Sequence, residues 1–414
     1  MVPTPSPAAT RYAFVVGGPV AIGPFMALWL RGEGVDLGLI GPLIAAPLFL
    51  RVLLYRPLAC WVVRYATLWT PVAILCGVAC LCSLVCVGSG SVPLAIAAWW
   101  CVCLAGNACV PLMDSAILDE APDGREDRAL GLAKGAGAAA YLLAVSAVGL
   151  IARLGGPAAI PLWSGFMSLV AAAFATAPIA ASSRRGDRPM ATPPGVPRQS
   201  REQAQTSLSA GRLLLILAGA ALIEGSHGLH AMAMVTWADR GIGPDLGGLL
   251  WATGPLADIA FLGLAGSLRQ RLGPVRMIVV GGAAAVARWA GFAATPSLPA
   301  MFVLQALHAL SFTATYLGSV EAVHLMSQES RTSRQIANWA TATGLVGALG
   351  SLSSGVLYGS YGLEAYWFMA ASAAVGLSVV ALTIGGRASV QPVSRKASNG
   401  GTPTTASAFP ISRI

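Results

Sequence analysis

The sequence predicts an all-α membrane protein, with twelve transmembrane helices arranged as two six-helix pseudo-repeats. Three observations predict it. Of the 414 residues, 56% are hydrophobic and only 10% charged, whereas a soluble protein of this size is about one-quarter charged. Apolar runs recur that are long enough for a bilayer core of about 30 Å, which takes about 20 residues per helix. Those runs fall into two groups on either side of one polar stretch.

In the first half the runs are Arg11–Leu30, Leu37–Leu58, Leu68–Val87, Val92–Met113, Ala129–Ile151 and Ala158–Ala180. In the second they are Leu213–Trp237, Leu246–Leu268, Met277–Thr295, Leu298–Val320, Ile336–Leu357 and Ala365–Ile384. Gly and Ala are abundant within them, and small residues let helix backbones approach closely in lipid. The expected organisation is a cytoplasmic tail (1–10), a six-helix bundle (11–181), a Pro-, Ser- and Arg-rich cytoplasmic linker (182–211), a second bundle (212–385) and a disordered cytoplasmic tail (386–414). No cleavable signal peptide is expected, because Met1 to Thr10 is polar and Pro-rich.

Orientation follows from the basic residues. With the N-terminus inside, the inner segments carry Arg64, Arg125, Arg128, Arg184, Arg185, Arg188, Arg198, Arg201, Arg269, Arg271, Arg331, Arg334, Arg395 and Lys396. The outer loops hold only Arg31, Arg153 and Arg240. This is the positive-inside pattern, and it predicts a multi-pass protein of a bacterial-type inner membrane with both termini cytoplasmic. The formal charge of +9 is placed by topology, not gathered into a stripe with interleaved aromatics, so no nucleic-acid partner is expected.

The halves repeat one another. Arg31-Gly32-Glu33-Gly34-Val35-Asp36-Leu37-Gly38 follows Trp29 and precedes an apolar span. Asp239-Arg240-Gly241-Ile242-Gly243-Pro244-Asp245-Leu246-Gly247 follows Trp237 and precedes another. Asp114, late in the fourth span, corresponds to Glu321, late in the tenth. Parallel repeats of this kind place a ligand cavity between the halves.

Charged groups near mid-bilayer cost at least ~2.5 kcal/mol and usually face a cavity or a partner. Glu224 and His227 (seventh span), Asp258 (eighth), Arg288 (ninth) and His308 (tenth) lie near mid-span, with His230 slightly further out. Arg51 and Lys134 are first-half counterparts displaced toward the cytoplasm. The bland reading of Asp114, Glu321 and His324 is interfacial; of Arg51, a snorkelling side chain; of Glu224 and Asp258, a buried structural ion pair. The sharper reading makes Asp258, Glu224, His308 and Arg288 a proton-coupling group. Arg51, Lys134, His227 and His230 are then candidate substrate contacts, and Asp114 and Glu321 parts of an inner gate. Asp258 alternating between a wet environment and contact with Arg288 would take up and release a proton.

Other chemistry is weakly signalled. Glu224-x-x-His227 and Glu321-x-x-His324 have the spacing of di-iron bundles, but the pairs fall at different depths. The eight cysteines lie mostly in apolar runs without neighbouring His or acid, so no metal is expected. No Walker pattern implies ATP. An enzyme is not expected, no cofactor is required beyond a proton gradient, and a receptor would want an appended domain that the linker and tail do not supply.

Gly225-Ser226-His227, Arg288-Trp289 and Leu304-Gln305-Ala306-Leu307-His308-Ala309 with Phe312 resemble the 3-phenylpropionate permease family of the major facilitator superfamily. Pro24-Phe25-Met26-Ala27-Leu28-Trp29-Leu30 and Pro111-Leu112-Met113-Asp114 look like its first and fourth spans. The resemblance covers nearly all of the chain except the linker and tails. It implies a relation to the oligosaccharide:proton symporters, lactose permease among them, in which an acid on the eighth span, an Arg on the ninth and a His on the tenth form the coupling cluster. Asp258, Arg288 and His308 match those roles.

The departures are specific. Ser311 stands where lactose permease has a carboxylate. The loop-two Asp-Arg pair is reduced to Val63-Arg64. Leu130 and Leu132 replace Arg residues entering the fifth span, and Glu321 stands where some relatives have a basic residue. The resemblance therefore implies a monomeric, proton-coupled importer of a small organic solute, with an aromatic acid favoured. Proton-driven efflux of drugs or metabolites, and sugar or nucleoside symport, remain open alternatives.

Overall fold

The computed structural model describes residues 7–122, 124–176, 210–326 and 332–385. The linker expected at 182–211 lies almost wholly outside them, as do Arg331 and the tail from 386. Among the described residues, ten stretches are long and apolar enough to cross a membrane. One of them, Asn338–Ile384, runs 47 residues and contains two helices separated by Gly362–Ala365. The helix Leu37–Val62 adds another segment, of which the apolar part is Leu37–Arg51.

The helical segments are therefore α1 (Pro7–Gly32), α2 (Leu37–Val62), α3 (Trp69–Gly88), α4 (Val92–Glu120), α5 (Glu126–Gly155) and α6 (Ala159–Thr176) in the first half. The second half has α7 (Gly211–Ala238), α8 (Pro244–Leu272), α9 (Pro274–Ala293), α10 (Leu298–His324), α11 (Thr332–Tyr361) and α12 (Tyr366–Gly385). Large apolar side chains such as Leu53, Leu81, Leu143 and Leu382 stand exposed on the outside of the bundle. A water-soluble monomer rarely exposes so much apolar surface. The chain is a multi-pass membrane protein.

Three helices are not regular. α1 carries a widened π turn at Val16–Val20, around Pro19, and then a tightened 3-10 turn at Gly23–Phe25. Its second-half equivalent, α7, tightens over Ser226–Met232, and α10 widens over Ala309–Ala314. Such turns release backbone groups from the regular ladder, and they are tolerated at membrane depth only where protein or a cavity surrounds them.

The first span also begins earlier than its apolar run. Arg11, placed by hydropathy at the boundary, is buried inside the bundle. Its Nε donates to Phe174 O at 2.8 Å and its guanidinium lies 4.5 Å over the Trp69 ring. Hydropathy scores the side chain and cannot see this satisfaction.

We call the end at which α1 begins proximal and the opposite end distal. The halves close on each other at the distal end, α2 against α11 and α5 against α8. The seam is nearly side-chain-free. A Cβ on Gly355 would lie 2.0 Å from Leu37 O, one on Gly149 2.3 Å from Pro244 O, and one on Gly41 2.6 Å from Ser351 O. Two ion pairs flank it: Arg31–Asp239 and Arg153–Asp245, each 2.5 Å, with Tyr358 Oη also donating to Asp239 at 2.8 Å. The loops that repeat in sequence are thus the loops that meet. One layer deeper, Trp251 Nε1 donates to Tyr141 Oη at 3.1 Å. Together with the two ion pairs, this bond ties the halves at and beyond this level.

Exposed ion pairs contribute about 0–1 kcal/mol each, so the backbone-to-backbone fit is the stronger closure. Replacing Gly149 and Gly355 by Ile should force the distal ends apart. Spin labels at Leu94 and Ser297 in a cysteine-depleted background should then report a longer distance than in the parent. An unchanged distance distribution would show that the seam does not set closure.

Candidate functional site

The mid-span groups converge in the second half. Arg288 on α9 is 2% exposed, and its donors are met chiefly by neutral acceptors on α10. One terminal nitrogen donates to Gln305 Oε1 at 2.6 Å, and the other lies 3.0 Å from His308 Nδ1 and 3.4 Å from Ser311 Oγ. Its carbon sits 4.4 Å over the Trp289 ring, a cation–π contact.

Because guanidinium only donates, His308 Nδ1 must accept. The imidazole is then neutral with its proton on Nε2, and Nε2 lies 3.5 Å from Asp258 Oδ2. Asp258 Oδ1 accepts from Thr313 Oγ1 at 2.8 Å. Arg288 and Asp258 are therefore linked through one histidine, not in direct contact. The sequence expectation had them touching; His308 occupies the space between.

His227 follows the same logic. Its Nδ1 is 2.9 Å from Glu224 O, which only accepts, so Nδ1 carries the proton. Its Nε2 then accepts from the Ser311 hydroxyl at 3.3 Å. Ser311, where a carboxylate stands in lactose permease, thus joins Arg288 to His227. The tightened turn of α7 presents His227 here because Gly225 and Gly228 let α7 press onto the α11 backbone; a Cβ on Gly228 would lie 2.6 Å from Gly347 O.

His230, one turn further, is packed in aromatic rings. It stacks on Trp251 at 5.1 Å and lies 5.4 Å from Trp289 and 5.7 Å from Phe292, with Tyr366 Oη 3.4 Å from its Nδ1. Glu224 is buried on α7, and its Oε1 has no hydrogen-bond partner among the described residues.

The first-half candidates are arranged differently. Lys134 Nζ donates to Asp114 Oδ2 at 2.8 Å, and Tyr12 Oη donates to Asp114 Oδ1 at 3.0 Å, tying α5, α4 and α1 together. Asp114 is thus engaged within its own half in this conformation. Arg51 is exposed on α2, and Glu321 is half-buried near the proximal end of α10. His324 is exposed there, away from His227. Among the described residues no group of three His, Cys, Asp or Glu is placed to hold a metal ion.

With this geometry the comparisons are consistent. The model of the MFS_1 like family matches residues 9–369. The chain belongs to the MFS_1 like family.

Its curated relative "Probable 3-phenylpropionic acid transporter" of Escherichia coli (strain K12) is 28% identical over 189 residues, 44% of this chain. That match covers 49% of the relative, so the chain spans about half the length of the curated protein it matches. Among solved structures, the nucleoside transporter NupG aligns with TM-score 0.72 at 12% identity, covering 91% of this chain and 99% of that one. A bacterial homologue of the iron transporter ferroportin aligns with TM-score 0.70 at 12% identity, covering 91% and 98%. These likenesses establish the fold of an MFS-type membrane transporter.

Sequence reasoning in this MFS_1 like chain missed Gln305, Thr313 and the Trp251–Tyr141 bridge. Gln305 was legible, one turn before His308 on the same face. Thr313 was not, because the π turn shifts the register that would place it opposite Asp258.

Asn at position 308 presents its amide oxygen close to where Nδ1 lies, whereas Ala leaves an Arg288 donor under-satisfied, a loss of about 1–3 kcal/mol. His308→Asn should melt close to the parent and His308→Ala clearly below it, by thermal unfolding in detergent. Equal melting of the two variants would show that His308 does not satisfy Arg288.

Proposed function

We propose that the protein is a proton-coupled importer of a small aromatic monocarboxylic acid. The observation that carries this reading is Arg288: a fully buried guanidinium at mid-span whose direct partners are Gln305, His308, Ser311 and an indole face. A substrate carboxylate can replace those neutral acceptors and form the charge-assisted bidentate pair that Arg geometry favours. Trp289, Phe312 and the rings about His230 supply an aromatic environment for the rest of the substrate. The likeness to the E. coli "Probable 3-phenylpropionic acid transporter" supports the same class.

Asp258 is the proposed proton carrier. When substrate takes Arg288, His308 Nδ1 no longer accepts from the guanidinium and the contact of His308 with Asp258 is remade, so binding and protonation act on the same chain of groups. Glu224 is the second candidate carrier, through its unpartnered oxygen. His227 and His230 tune or contact the substrate. Arg51 and Lys134 are anion contacts from the first half, Lys134 becoming available when it leaves Asp114; Asp114 and Glu321 serve the proximal gate.

The Arg asymmetry makes the proximal end cytoplasmic, so the closed distal seam gives an inward-facing state. One chain supplies both halves, which supports a monomer. Rigid-body rocking of the halves then alternates access.

The test is uptake in proteoliposomes with labelled 3-phenylpropionate and an internal pH dye, using protein-free vesicles to subtract diffusion of the neutral acid. Saturable, protein-dependent uptake with acidification is expected. Arg288→Gln should weaken apparent affinity at least ten-fold, the scale of a lost charge-assisted pair of about 1.5–3 kcal/mol. Asp258→Asn should remove acidification while substrate exchange persists. If folded protein moves sugars or nucleosides and no aromatic acid, the reading is wrong.

A further inference from the structure

The distal surface carries a groove outside the path between the halves. It lies between the α1–α2 loop, the first turns of α2 and the start of α4, with a volume of about 570 Å³. Its walls are apolar, including Leu39, Leu43, Ile96 and Trp100, and its charged lining residues are Glu33 and Asp36; no basic side chain lines it. The Trp100 indole is fixed by a 2.9 Å hydrogen bond to Leu43 O, which holds α2 and α4 at this spacing.

The charge at the rim is uncompensated. Arg31, two residues from Glu33, is committed to Asp239 across the seam. The pseudo-repeat sharpens the contrast. Asp245, the counterpart of Asp36, has Arg153 at 2.5 Å, whereas no basic side chain pairs with Asp36 or Glu33 among the described residues. Asp36 Oδ1 accepts from Gly38 N at 2.8 Å as the cap of α2; this bond leaves its charge in place.

The groove has the depth of a lipid site. From Val92 to Trp100 the start of α4 descends about 12 Å at helical rise, from the loop into the apolar layer. Leu39 and Leu94 beside it are exposed, as lipid-facing residues are. Two carboxylates at the rim and a hydrocarbon wall beneath describe a partner with an apolar tail and a head that ends in a cationic group. A headgroup of net negative charge, with no cationic group to set against the rim, would be repelled. A choline head carries no N–H to donate, whereas a primary ammonium offers three donors.

We propose that this groove binds an aminophospholipid of the distal leaflet, its ammonium on Glu33 and Asp36 and its acyl chain along Leu39, Leu43, Ile96 and Trp100. The site is independent of the transport reading and takes its ligand sideways from the bilayer.

The experiment is native mass spectrometry of the full chain released from vesicles of equimolar phosphatidylethanolamine, phosphatidylcholine and phosphatidylglycerol. Wild type should retain phosphatidylethanolamine about ten-fold over phosphatidylcholine. Glu33→Gln with Asp36→Asn should lose that preference, Asn being an equally good helix cap. Ala97→Trp should lose the bound lipid while keeping both charges. Variants are compared at matched monodispersity and melting temperature. Equal retention of the three lipids by wild type, or unchanged preference in both variants, overturns the proposal. So does saturable binding of phenethylammonium that added phosphatidylethanolamine fails to displace, which would assign the groove to a soluble cation.

Discussion

The second half is organised around a single electrostatic constraint: a guanidinium held at mid-span with no carboxylate in direct contact. Burying such a charge costs several kcal/mol unless its donors are met. Gln305, His308, Ser311 and the face of Trp289 meet most of them. Each of those positions is then restricted. His308 must accept at Nδ1, which sends its remaining proton toward Asp258. Ser311 must be small enough for Arg288 and His227 to share it. An acid at 311 would pair with Arg288 directly, and the guanidinium would no longer depend on neutral acceptors. Ser311, in place of an acid, therefore leaves Arg288 among neutral acceptors.

The irregular turns in α7 and α10 serve that same constraint. In a regular α10, residue 313 would lie on a different face from 308 and 311; the widened turn brings it round toward the face of His308, so that Ser311 reaches Arg288 while Thr313 reaches Asp258. In α7 the tightened turn brings His227 and His230 inward, and it depends on glycines that let α11 approach its backbone. The irregularity is possible because most residues of both turns are buried in the protein.

Much of this was legible in the residues. The multi-pass all-α architecture followed from apolar run length, and the meeting of the two distal loops was foreshadowed by their repeat around Asp36 and Asp245. Asp258, Arg288 and His308 stood at mid-span and converge. What could not be read was conformation within a helix. Hydropathy is blind to a π turn, so the reach of Thr313 was hidden. It is equally blind to satisfaction, so Arg11 looked like a boundary residue although Trp69 and Phe174 hold it inside. Lys134 and Asp114 were each read alone; their separation of 20 positions, across the loop between α4 and α5, gives no sign that they pair.

The site and the seam are also one packed body. Trp289 supports Arg288 on one side and lies 5.4 Å from His230 on the other, and His230 stacks on Trp251. Trp251 donates across the halves to Tyr141. Opening the distal end must break that bond, since α5 and α8 part there. The Trp251 ring then loses the partner that fixes its tilt, and the stack on His230 is no longer held. A ligand that reorders Trp289 pushes on the same rings from the opposite direction. Close-packed aromatic rings transmit such displacements because no void absorbs them. The physical warrant for coupling is therefore the bond that must break: any ligand whose contacts differ between the bonded and broken states biases access, and one bound equally in both does not.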